Sequence, residues 1–278
     1  MYSRFDITVG SLLYRDDYRD YYLAKGWRGS LDWKMNSALN AKVAFNDERQ
    51  SGVSRNTNYS IFPESYDCRV NPAINDGYLR SVDLSLNLDT RKFLDTGMSM
   101  RSDEGSNYWV CKADVETSSP RFLNSAFSFD RFHLEVMRHQ MAFASGYLNV
   151  WAASGTAIGK LPVQRMFEIQ SAYGGYSEGE TLETLAVRRL LTTTSIVVAV
   201  DHDFANSLFR WSNIPLVRDA WFNVRLFAHG AAADGYSPMA EVGFGLVNIL
   251  PFIRTNFAWC VAGACRGFAW TIGTAMGI

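Results

Sequence analysis

Three consecutive residues, Asp201, His202 and Asp203, combine side chains that bind metal ions with side chains that transfer protons near neutral pH. They follow the apolar run 195–200 and therefore belong to an extended segment. Because neighbouring residues of a strand point to opposite sides of the sheet, the three side chains cannot converge on one ion without a bulge. This geometry favours polar residues at a strand end over a catalytic or metal site.

Other residues that could take part in catalysis or metal binding lead to the same prediction. His133 and Glu135 share one face of an extended segment, which favours a hydrogen-bond network over a ligand pair. A membrane esterase needs a serine beside a histidine, and the 4 histidines and many serines leave this alternative open. The sequence has no nucleophile-elbow, zincin or P-loop motif. We therefore predict no enzyme activity, no catalytic residue, no metal and no cofactor.

The elements that position these residues have a period of two. In residues 81–89, for example, Val82, Leu84 and Leu86 alternate with Asp83 and Ser85. About a dozen segments alternate in this way, at 5–9, 27–35, 39–45, 82–88, 109–115, 132–136, 148–152, 196–200, 222–228, 240–247, 252–261 and 267–276. Residues 36–37 predict a short turn, and the aperiodic stretch 47–78 predicts a long loop. The pattern predicts an all-β fold.

Composition narrows the class of protein. The net charge of −1 gives no basic field for nucleic acid, and the aromatic content of 14% is heavy for a soluble domain. No apolar run approaches the roughly 18–20 residues of a spanning helix. The first residues show no signal peptide, so for an exported protein we expect the signal to be missing upstream. No composition shift divides the chain, and we predict one domain, 1–278.

The polar faces of the alternating segments distinguish lipid from water as the surroundings. They mix charged and polar groups with aromatic rings, as the crowded interior of a membrane barrel does. We predict a closed antiparallel transmembrane β-barrel of about 12 strands. A soluble β-domain is the alternative. The predicted lumen residues are Asp83, Arg131, His133, Glu135, Asp201, Arg225, His229 and Arg254.

The four cysteines have neither metal-ligand spacing nor a CxxC motif. Their spacing favours free thiols. A bond between Cys260 and Cys265, across a hairpin end, is the alternative that the sequence leaves open.

The order of segments in the second half resembles the bacterial surface antigen family, the outer-membrane barrel superfamily that includes BamA and TamA. The matching pieces, from residue 127 to 278, are FDRFHLEV, GYLNVWAASGTAIGKLP with its Gly-x-Leu-Pro-like turn, a long loop with glycines, VVAVDHDF, FNVRLFAHG, EVGFGLVNILPFIRTNFAW and FAWTIG. The resemblance implies a β-barrel in the bacterial outer membrane, with periplasmic domains missing upstream. It also gives the C-terminal part of a barrel of roughly 16 strands as the alternative to a complete barrel. It also implies an inward loop, here from Leu161 to Leu185.

Two positions depart from the family pattern. The family's inward loop carries an Arg-Gly-aromatic tip that pairs with an acidic residue, whereas this loop offers Tyr173, Gly174, Gly175 and Tyr176. His229 stands where the family commonly has that acid. The family's usual ion pair therefore cannot form here.

The resemblance implies a role in outer-membrane protein assembly, translocation or export. The expected partners are membrane lipid, unfolded outer-membrane proteins and periplasmic assembly factors. A passive channel or a structural barrel without assembly activity is the alternative, because the same lumen residues would then set solute passage.

Overall fold

The computed structural model describes residues 12, 20–54, 61–62, 73–91, 93–95, 100–102, 107–142, 146–172, 176–177, 182–185, 189–205, 207–210, 222–250 and 253–274. The strands are β1 (Tyr22–Lys34), β2 (Leu39–Gly52), β3 (Gly77–Asp89), β4 (Phe93–Asp95), β5 (Met100–Ser102), β6 (Tyr108–Ser118), β7 (Ser128–Met141), β8 (Tyr147–Lys160), β9 (Phe167–Gln170), β10 (Tyr176–Ser177), β11 (Arg189–Thr192), β12 (Thr194–Asp203), β13 (Asn223–Ala233), β14 (Met239–Leu250), β15 (Ile253–Ala262) and β16 (Phe268–Thr274). Helices α1 (Pro120–Leu123) and α2 (Ser207–Arg210) are single turns. None of the helices in the described ranges has the length and apolar content needed to span a lipid bilayer.

One large sheet contains the long strands in the order β1-β2-β3-β6-β7-β8-β12-β13-β14-β15-β16, all antiparallel, and β10 adds to β16 in parallel. The pairs β4–β5 and β9–β11 form separate small sheets within connections. The all-β antiparallel prediction is confirmed. Closure is not part of the described ladder, because the described residues of β1 pair only with β2 and those of β16 only with β15 and β10. The strand predicted at 5–9 lies outside the described residues.

The two faces of the sheet reverse the usual arrangement of a soluble protein. Large apolar side chains point outward and stay exposed, among them Leu31 (79%), Trp27 (60%) and Trp270 (58%). Polar side chains point inward and are buried, among them Glu241 (1%) and Asn256 (1%). A soluble domain rarely exposes a continuous apolar surface, whereas a membrane barrel presents one to lipid. We call these the outer face and the inner face.

Local chemistry explains several strand ends. The Asn36 side-chain oxygen accepts the backbone N–H groups of Ala38 and Leu39, both at 2.8 Å, and this closes the predicted turn between β1 and β2. At the end of β8, Gly159 has a φ of +91°, and a Cβ there would lie 2.6 Å from the carbonyl oxygen of Ser128. Only glycine fits this position, which begins the Gly-x-Leu-Pro turn.

Two sequence predictions need correction. The long loop begins later than residue 47, because β2 continues to Gly52 with Glu48 and Gln50 on its inner face. Both side chains contact the connection that follows β8. Polar contacts, and not apolar packing, therefore stabilise the inner face of this end of the strand. The preference for free thiols is also wrong at one pair. Cys260 and Cys265 form a disulfide across the turn between β15 and β16.

Candidate functional site in the barrel interior

The described parts of the connection between β8 and β12, residues 161–172, 182–185 and 189–193, lie against the inner face of the large sheet. The connection begins with a short 3₁₀ turn (Val163–Arg165) and includes the β9–β11 pair. Its described residues meet the sheet at two places. The proximal contact consists of Gln164, Arg165 and Phe167 against β2, β6, β7 and β8; the distal contact consists of Leu182–Leu185 against β13–β16.

The distal contact centres on the carboxylate of Glu241 in β14. Its Oε1 accepts the backbone N–H of Glu183 at 2.9 Å, and its Oε2 accepts the N–H and the hydroxyl of Thr184 at 2.8 and 2.7 Å. Glu241 and Thr184 are each 1% exposed. Bonds to an ionised acceptor are stronger than neutral ones, and buried N–H groups need a partner. Glu241 therefore supplies the polar anchor for this segment.

His229 in β13 links that anchor to a second carboxylate. Its Nδ1 lies 3.1 Å from Glu241 Oε1, and its Nε2 lies 3.2 Å from Asp201 Oδ1 in β12. The Arg225 guanidinium donates to the same Asp201 oxygen, through Nε at 2.9 Å and through Nη2. An imidazole donates from both nitrogens only when doubly protonated. In that form the Arg225 and His229 cations balance the Asp201 and Glu241 anions.

The segment returns a carboxylate of its own to the sheet. Glu183, itself buried, accepts the Asn256 amide of β15 at 2.7 Å through Oε1 and the Thr271 hydroxyl of β16 at 2.7 Å through Oε2. Wall and segment therefore exchange hydrogen bonds in both directions across three strands, β14, β15 and β16. Reciprocal satisfaction of buried polar groups fixes the position of the segment.

Apolar packing and backbone contacts complete the distal contact. Leu182 and Leu185 belong to a buried cluster with Ile169, Leu190, Ala231, Ala233 and Met239. The N–H of Arg266 donates to the carbonyl oxygen of Thr184 at 2.7 Å, and Leu185 forms an antiparallel bridge with Cys265. The disulfide-closed turn therefore contacts the segment directly.

The proximal contact has the opposite polarity. Here the connection provides the cation: Arg165 Nη2 lies 3.1 Å from Glu48 Oε1, and its Nε lies 3.5 Å from Glu116 Oε1. Beside it, the Gln164 amide donates to Gln50 Oε1 at 2.6 Å. The Arg165 and Glu48 side chains remain 25% and 22% exposed. This contact is wetter than the distal one.

An aromatic ring fills the space between the 3₁₀ turn and the wall. A Cβ at position 155 would lie 2.4 Å from the ring of Phe167, so Gly155 in β8 makes room for that ring. The guanidinium of Arg131 lies 4.4 Å from the ring centroid, a cation–π contact, and His133 stacks at 5.9 Å. The proximal contact is therefore partly a packing contact.

Five of the eight predicted lumen residues lie at the proximal or the distal contact. Asp201, Arg225 and His229 come together at the distal contact, and Arg131 and His133 flank Phe167 at the proximal contact. None of these groups forms a metal-binding cluster within the described ranges.

The other three predicted residues lie elsewhere on the inner face. Glu135 accepts the indole N–H of Trp151 at 3.1 Å. Asp83 pairs with Arg28 at 3.2 Å, and Arg254 is buried in β15. All three lie on the inner face of the wall.

The predicted loop tip lies largely outside the described residues. Tyr173, Gly174 and Gly175 lie outside them, and Tyr176 is the first residue of β10, opposite Ile272 of β16. Sequence reasoning missed Glu183, Thr184 and Glu241. A signal was present for the last of these, because Glu241 is the only charged residue of its strand and shares the parity of the small residues Gly243 and Gly245.

Comparison with known proteins bears on the fold. No family profile and no curated protein sequence matches the chain. Among solved structures, it is similar to BamA from Haemophilus ducreyi lacking POTRA domains 1–3, with a TM-score of 0.57 and 8% sequence identity. The match covers 90% of this chain and 53% of that chain, so the present chain spans about half of the BamA structure. At this identity the likeness shows a BamA-like barrel fold.

Proposed function

We propose that this chain is the barrel of a bacterial outer-membrane protein of the surface antigen type that assists the assembly, translocation or export of other proteins. One observation carries the proposal: the described part of the connection 161–193 is folded against the inner face and held by polar groups at two contacts. The proposed activity is non-enzymatic and needs no cofactor.

The outer surface supports the membrane part of the proposal. Exposed tryptophan, leucine, valine and phenylalanine side chains follow the outward positions of β1, β2, β3, β12, β15 and β16. Such a surface is costly in water and favourable in hydrocarbon. The BamA-like fold agrees with an outer-membrane location.

The sheet edges support the assembly part. Within the described residues, β1 pairs on one side only, and the outer side of β16 carries only the two residues of β10. Unpaired backbone groups at a strand edge accept an additional strand. An unfolded outer-membrane protein, which is made of such strands, has the chemistry to pair there.

The filled interior argues against a passive channel. A solute crossing the barrel would have to pass the connection, whose distal segment is buried against the wall of β13–β16. A passive channel needs a continuous water-filled path.

The test is a depletion experiment with the full-length protein in its native host. We expect depletion to lower the amounts of other folded outer-membrane barrels, because their assembly would lack this protein. Re-expression of the unaltered protein should restore them, and so should Lys160→Ala, which changes an exposed residue at the end of β8. Glu241→Ala should restore them poorly. Normal barrel levels after depletion would overturn the assembly proposal.

A further inference from the structure

Two cations lie directly opposite each other on the outer face of β1 and β2. The strand register pairs Lys25 with Arg49, and Arg49 in turn lies opposite Tyr78 of β3. Lys25, Arg49 and Tyr78 are all exposed. They occupy the end of the sheet from which the connections 53–76 and 161–193 leave. We call this the cation row.

The positive charges of the cation row are not neutralised by carboxylates of the described residues. Like charges on directly opposite residues of adjacent strands destabilise a sheet. Across the described residues, neither Lys25 nor Arg49 forms an ion pair with a carboxylate; Arg49 instead lies 5.6 Å from the centroid of the Tyr78 ring. One residue pair further along, Asp47 is already engaged by Arg80 at 3.0 Å. An anion between Lys25 and Arg49 would remove the repulsion.

An exposed apolar surface continues directly below the cation row. Trp27 packs against Phe45 at 5.3 Å between ring centroids and remains 60% exposed. The outer face then continues with Leu31, Trp33 and Val43, all exposed. Aromatic rings at this level mark the interface between headgroups and hydrocarbon in membrane barrels. A ligand of the row therefore has a polar end at Lys25 and Arg49 and an apolar end on this surface.

We propose that the cation row binds a phosphate-bearing lipid headgroup, with the acyl chains of that lipid lying along Trp27, Phe45 and Leu31. The inference rests on the membrane-barrel part of the proposed function and is independent of the assembly part. The two longest connections of the large sheet, 53–76 and 161–193, leave from this end and assign it to the external side, because outer-membrane barrels carry their longer loops there. The ligand is therefore a phosphorylated lipid of the outer leaflet. Arginine and lysine both bind phosphate oxygens, and the tyrosine hydroxyl can add a hydrogen bond.

The test is a lipid titration of the full chain, folded in neutral detergent, followed by native mass spectrometry. The probes are lipid A bearing its phosphates, the same glycolipid with the phosphates removed, and inorganic phosphate. We expect the phosphorylated lipid to bind, the dephosphorylated form to bind far more weakly, and inorganic phosphate not to be retained. The double variant Lys25→Gln, Arg49→Gln should weaken binding about thirtyfold, because each cation near an anionic lipid surface contributes about fivefold in affinity.

Lys160→Gln is the matched control, because it removes an exposed cation at the same end of the sheet without an opposed cation in its β7 register partner, Ser128. It should bind the phosphorylated lipid as the unaltered chain does. Retention of the folded band on unheated gels verifies that each variant still forms the barrel. Equal lipid binding by the double variant and the unaltered chain would overturn the proposal. Equal binding of the phosphorylated and dephosphorylated lipids, or retention of inorganic phosphate alone, would do so too. Failure of the chain to fold in detergent at all would instead contradict the membrane barrel itself.

Discussion

The proximal and distal contacts hold one connection to one sheet by opposite chemistry. At the proximal contact the connection provides an arginine to two wall carboxylates. Arg165 and Glu48 keep about a quarter of their surface in water, whereas Glu116 is buried. At the distal contact the wall provides a carboxylate to backbone N–H groups, and almost nothing is exposed. Exposed ion pairs contribute little, whereas a buried network is costly to break. We infer that the distal contact contributes most of the stability with which the connection is held to the wall, and that the proximal contact contributes less.

The largest predicted effect is at the distal contact. Glu241→Ala leaves the N–H groups of Glu183 and Thr184 without their acceptor and removes one carboxylate from His229. We expect a loss of about 3–5 kcal/mol in the free energy of unfolding, as for other broken buried charge networks. Chemical unfolding from lipid vesicles measures it. Glu241→Gln keeps the size and one acceptor oxygen, so its loss should be smaller; equal losses for both variants would exclude the proposed role of the carboxylate.

A smaller effect is expected where the proximal contact depends on packing. Gly155→Ala places a methyl group 2.4 Å from the Phe167 ring. Overpacking of this kind costs about 1–3 kcal/mol and should displace the ring from Arg131. Gly230→Ala is the control, since its Cβ would meet only a carbonyl oxygen at 3.5 Å. Similar unfolding free energies for the two variants would show that Phe167 does not pack as described.

The smallest effect is predicted for the charged part of the proximal contact. Arg165→Ala removes the ion pairs of this arginine with Glu48 and Glu116, at 3.1 and 3.5 Å. The Arg165 side chain is partly exposed in both pairs. We expect a loss of about 1 kcal/mol, and we expect it to shrink at high salt because solvent ions screen such pairs. Unfolding in low and high salt gives both values. A loss as large as that of Glu241→Ala, or one that salt does not change, would break the distinction between the two contacts.

The sequence predicted the strands better than it predicted the site. Alternation is a local pattern, so the sequence alone predicts which face of the sheet residues such as Val82 and Leu84 occupy. It failed at the end of β2, where Glu48 and Gln50 gain their role only from Arg165 and Gln164, more than a hundred positions away. The distal contact could not be predicted from local pattern either, because Glu183 and Glu241 are 58 positions apart in the sequence. The family resemblance predicted an inward connection with a Tyr-Gly-Gly-Tyr tip, and it did not point to Glu183 or Thr184, which bind the wall in the described residues.

Loss of the expected ion pair did not leave the connection unattached. His229 stands where an acid was expected, and it takes part in the anchor by joining Glu241 to Asp201. The wall carboxylate is found one strand further along, on β14, and it binds backbone rather than an arginine. The connection is therefore attached to the wall through groups other than those of the family pattern.

Single-channel recording in planar lipid bilayers tests whether the described part of the connection 161–193 occupies the barrel interior and is held there by Glu241. We expect small or erratic currents from the unaltered protein and larger, longer openings from Glu241→Ala, because the distal segment then leaves the wall. Stable, large currents from the unaltered protein, unchanged by Glu241→Ala, would contradict this arrangement.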